Sequence, residues 1–116
     1  MATGNVSRVG LAKVVINEEG VPTGVEREGV VLSPDEGWER GMNNAGTEDP
    51  RTTWVPALGK HLLTYVAYGP LGPRLAFAHS EDLRNWERLG PCFFEYQDDL
   101  SMDLNLFPNK DAVFFP

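Results

Sequence analysis

Glycine and proline punctuate this chain so densely, at 12 and 9 of 116 residues, that its apolar stretches are all short. Proline cannot continue a helix and glycine weakens one, so no helix of useful length is expected. The surviving runs have strand length and β-branched or aromatic content. Leu11 to Ile16 reads as a strand closed by the turn Asn17-Glu18-Glu19-Gly20, and Gly29 to Leu32 repeats the pattern. Between them, Gly20 to Gly24 and the charged Glu26-Arg27-Glu28 read as a loop with room for a short extended stretch. Ser33-Pro34 suits the start of a single helical turn.

Downstream the punctuation becomes regular. Arg51 to Val55, His61 to Tyr68, Arg74 to His79 and Trp86 to Leu89 are four strand candidates. They are joined by the turns Ala57 to Lys60, Gly69 to Pro73 and Ser80 to Asn85. Connections this short fit an antiparallel meander and leave no room for crossover helices. The fold class expected is therefore all-β, built of antiparallel four-stranded units. The acidic tract Glu95 to Leu106 reads first as a solvated connection, and second as a possible lining for a sugar site.

With 41% hydrophobic residues the chain can form one small core and no more than one domain. Its net charge of -7 repels nucleic acid and anionic lipid, so neither is an expected partner. No long apolar run and no charged-then-apolar leader occurs, which makes the cytoplasm the expected location. The single Cys92 lies among Gly90, Pro91, Phe93 and Phe94 with no base nearby and reads as structural. His61 and His79 lack a third ligand at useful spacing, so no metal is expected.

The run from Asn43 to Arg51, Asn-Asn-Ala-Gly-Thr-Glu-Asp-Pro-Arg, is the best lead to function. Pro50 fixes its own φ and pushes Asp49 toward extended geometry, which predicts a carboxylate held on a stiff backbone, suited to acid chemistry. The same residues also suit an ordinary turn, with Arg51 solvated or paired to Glu48.

Four ordered blocks resemble glycoside hydrolase family 130, the β-mannoside phosphorylases and related β-mannosidases. They are Gly46-Thr47-Glu48-Asp49-Pro50-Arg51-Thr52-Thr53-Trp54-Val55-Pro56, Leu63 to Pro70, Ala76 to Trp86, and the closing Asn109-Lys110-Asp111-Ala112-Val113-Phe114-Phe115-Pro116. The resemblance implies a five-bladed β-propeller with four strands in each blade, of which this chain would supply about two. It divides the chain into outer strands and a connection at 1–42, a full blade at 43–94, and a connection with the first strand of a next blade at 95–116. The closing residues read as a strand cut off at Pro116, which leads to the expectation of a piece of a larger propeller, or of copies that cover each other's edges by self-association.

The resemblance also implies roles. Asp49 matches the family's proton donor, which acts through a sugar hydroxyl. Arg74 and Lys110 fall where members bind phosphate; read without the family, each is equally a surface cation. Asn44, Arg51, Tyr68 and Asp111 are substrate-binding candidates, Tyr68 because it flanks the Gly69-Pro70 turn. Trp86, after Ser80 to Asn85, is expected to bury its indole.

Phosphorolysis needs one acid and cations that align the anion, whereas inverting hydrolysis needs a second carboxylate as base. Inorganic phosphate would be a co-substrate, with no other cofactor. The expected reaction is inverting phosphorolysis of a β-mannoside to α-mannose 1-phosphate. Two alternatives stay open: a noncatalytic sugar-binding or self-assembling propeller fragment, and a β-mannoside hydrolase.

Overall fold

The computed structural model describes residues 5–41 and 45–115. Seven strands form among the described residues, β1 (Val6–Ser7), β2 (Val9–Ile16), β3 (Pro22–Leu32), β4 (Ala45–Val55), β5 (Lys60–Gly69), β6 (Gly72–Ser80) and β7 (Glu87–Pro91). The helical conformation among the described residues is 3₁₀, with turns at Gly37–Glu39, Asp98–Leu100 and Leu104–Leu106. The fold class is all-β, as expected. No helix among the described residues is long and apolar enough to cross a membrane.

Strands β4 to β7 pair in chain order as an antiparallel meander, the four-stranded blade anticipated from their turns. β1 adds to the outer edge of β4 in parallel, and β2 with β3 makes a separate hairpin. The turn between β2 and β3 forms where the sequence places it. Asn17 Oδ1 accepts from the Glu19 and Val21 amides, and Gly20, at φ 80°, takes the left-handed position. β3 starts earlier than the apolar pattern suggests, because pairing with β2 extends the backbone through Glu26, Arg27 and Glu28.

Opposite residues of paired strands share a face, so register fixes what each side of the blade carries. Leu63, Tyr65 and Ala67 on β5 stand opposite Ala78, Ala76 and Arg74 on β6. The five apolar members of this set form the core with Val9 and Leu32, and Trp38 and Trp86 pack against it. Fully buried alanines leave space for the large rings. Trp86 also donates its indole N–H to the Leu83 carbonyl at 3.0 Å, so it plays the expected structural part.

The 3₁₀ turn falls at Gly37–Glu39 and not at Ser33-Pro34. What fixes it is Glu39, whose Oε2 accepts from the Glu36 amide while the side chain turns inward, fully buried. There Glu39 Oε1 accepts from Tyr65 Oη at 2.7 Å and Arg88 Nε at 2.8 Å, and Oε2 from Arg88 Nη2 at 3.0 Å. Trp38 is seated so closely over Gly69 that a β-carbon there would overlap the Trp38 carbonyl. Glycine alone fits that strand end.

The opposite face of the blade carries Thr64 and Phe77. Residues 109–115, read from sequence as the first strand of a next blade, have no ladder partner and cross this face. Asn109 N–H donates to the Pro73 carbonyl at 3.2 Å, Thr64 Oγ1 to the Ala112 carbonyl, and Thr53 Oγ1 to the Phe114 carbonyl at 3.0 Å. The Phe77 and Phe114 rings lie 5.3 Å apart, near the tilted geometry aromatic pairs favour.

Candidate active site

Asp49 occupies a bulge. Glu48 pairs with Val66 and Arg51 with Thr64, so Asp49 and Pro50 together oppose Tyr65 alone. The extra residue is absorbed by Asp49 at φ 47°, left-handed and not extended as Pro50 alone would favour. Closing the ladder on both sides of the bulge outweighs the local preference, and aspartate tolerates this region better than most residues. Asp49 is thereby lifted out of the pleat.

The threonine bonds to residues 112 and 114 set the closing segment over this bulge. Lys110 Nζ lies 3.6 Å from Asp49 Oδ2 and 3.3 Å from Asp111 Oδ2, and Arg51 Nη2 lies 3.4 Å from Asp111 Oδ1. Asp111 is also left-handed, at φ 62°. Four predicted residues, 49, 51, 110 and 111, thus join in one alternating row of charge, although 60 positions separate Arg51 from Asp111. Their side chains are about half exposed, so the row is open to solutes and water screens each pair. The Asp111 hydrogen bond, the Asp111 charge and then the Asp49 charge raise the Lys110 pKa and keep it a cation at neutral pH. Behind the row, Ser7 Oγ donates to Glu48 Oε1 at 2.8 Å.

The other predicted residues are placed as follows. Tyr68 is half-buried and, two residues beyond Val66, alternates onto the same face as Thr64. Arg74 stands opposite Ala67 and alternates onto the core face, away from the side that residues 112–114 cross. Its Nη1 donates to the Pro73 carbonyl at 3.0 Å, and no contact joins it to Asp49 or Lys110 among the described residues. Asn44 lies outside the described residues. Among those described, no group of histidine, cysteine and carboxylate residues could hold a metal ion. Burial raises the Cys92 pKa, which disfavours the reactive thiolate.

Sequence reasoning missed the Glu39, Tyr65 and Arg88 network. Glu39 sits in a polar loop that gave no sign of burial. Arg88, spaced two residues from Trp86 and paired with Ala78 on the core face, carried the only available signal.

No protein-family model matches the chain, and no curated protein matches it. A solved structure from Parabacteroides distasonis ATCC 8503, described as a "putative glycoside hydrolase", is similar, with 31% sequence identity and a TM-score of 0.56. The match covers 74% of this chain and 24% of that one. This chain therefore spans about a quarter of the length of the protein it resembles.

Proposed function

We propose that the charged row belongs to a glycoside phosphorylase acting on β-mannosides, with Asp49 as the acid and Lys110 and Arg51 as the cations that hold inorganic phosphate. The carrying observation is the apposition of Asp49 and Lys110, 3.6 Å apart on an open surface. The likeness to a protein described as a glycoside hydrolase supports the carbohydrate class.

In this reading a phosphate oxygen attacks the anomeric carbon as the glycosidic C–O bond breaks. The departing oxygen takes a proton that originates on Asp49 and passes through a sugar hydroxyl. Inversion gives the α-sugar 1-phosphate. Phosphate brings its own nucleophilic charge, so the protein supplies alignment and a proton and needs no base. Tyr68 offers a ring face to the pyranose. Asp111 orients both cations, which sets two positive side chains beside the acid to align an anion. That favours phosphorolysis over hydrolysis.

Lys110→Ala tests the assignment. The KM for phosphate is expected to rise at least about tenfold, the scale of losing one charge-assisted bond, while the KM for the mannoside changes little. Steady-state kinetics with phosphate as the varied substrate measure it. An unchanged phosphate KM would remove Lys110 from the proposal.

A further inference from the structure

A second concavity lies where β6 begins, with a cavity volume of about 520 Å³. Its walls are mainly apolar, from Trp38, Leu71, Leu75, Phe94 and Phe107, and the one charged side chain among its lining residues is Arg74. The size falls within the range typical of small-molecule sites. The wall is held in place by backbone bonds. Asn105 brackets Phe94, accepting from its amide at 2.8 Å and donating to its carbonyl at 2.7 Å, and the Cys92 amide donates to the Leu75 carbonyl at 2.7 Å.

One cation borders this apolar space without a matching anion. Arg74 has no carboxylate partner among the described residues and bonds only the adjacent Pro73 carbonyl. A guanidinium beside aromatic walls suits a planar anion with an apolar body, since its fork meets a carboxylate through two bonds while the body displaces water from the rings. A sugar would leave its hydroxyls unpaired against these walls, and bare phosphate would leave the cavity unfilled. A second copy of the chain, at net charge -7, would meet long-range repulsion.

We propose that this cavity binds a small apolar carboxylate, its head on Arg74 and its ring or alkyl body against Trp38, Phe94 and Phe107. The test is calorimetric titration of the whole chain with 4-phenylbutyrate and with the uncharged 4-phenylbutanol. The acid is expected to bind saturably with one site per chain and at least about tenfold tighter than the alcohol. Arg74→Gln should abolish that preference while leaving alcohol binding intact, which shows that the cavity still stands. Arg74→Lys should restore part of it. Equal affinity for acid and alcohol, a preference that survives Arg74→Gln, or no saturable binding of either probe would overturn the proposal. So would sedimentation showing a dimer that the acid fails to dissociate.

Discussion

Replacing Asp49 by asparagine is expected to lower the rate of mannose 1-phosphate formation by about 10²- to 10⁴-fold, the usual contribution of a positioned acid. Stability should stay within about 0.5 kcal/mol of the parent, the scale of a surface change. The two expectations separate cleanly because of where Asp49 sits. Its side chain is 47% exposed, and its ion pair with Lys110 is a surface one. Asparagine also tolerates the left-handed backbone at φ 47°, so the bulge need not move. Initial rates and a urea titration on the same preparations test both halves. Turnover that survives the substitution would exclude Asp49 as the proton source, whatever the melting behaviour.

Glu39→Ala should have the largest effect on folding, about 3–5 kcal/mol lost, because it leaves the Arg88 charge partly buried and unpaired. Glu39 has no exposed surface and Arg88 is 18% exposed, so water compensates little. Burial alone would lower the Arg88 pKa, but the bonds and charge of Glu39 outweigh that and hold the guanidinium charged. The same network predicts an alkaline limit. Burial first, then the hydrogen bond and charge of Glu39, raise the Tyr65 pKa above its ordinary 10.0. A raised folded-state value means the contribution is complete below about pH 10 and is lost as pH climbs from there toward the folded value. Urea midpoints should therefore fall above pH 10 in the parent and fall less steeply in Tyr65→Phe. A Glu39→Ala loss under 1 kcal/mol, or equal alkaline slopes, would mean that the network contributes little.

The blade was readable because its strands alternate and its turns carry glycine, proline and the Asp82 cap, whose carboxylate accepts from the Arg84 and Asn85 amides. β3 was harder. Its start holds charged residues that adopt extended geometry only because β2 lies alongside, a tertiary effect outside any local pattern. Asp49 and Lys110 could be nominated from motifs, but their meeting depends on threonine bonds between β4 or β5 and a segment some 50–60 positions away. Arg74 shows the reverse problem. One step of strand alternation decides which face it takes, and the motif that nominated it says nothing of that register. The bulge is similar, since Pro50 argues for extended backbone while the ladder on either side demands one extra residue.

The most direct test is to incubate the purified chain with a β-mannoside disaccharide, with and without inorganic phosphate, and to follow both mannose 1-phosphate and free mannose. Mannose 1-phosphate should appear in the α configuration and in step with phosphate consumed, with negligible release of free mannose when phosphate is omitted. Equal cleavage in phosphate-free buffer, or saturable mannoside binding without any turnover, would contradict phosphorolysis at this site.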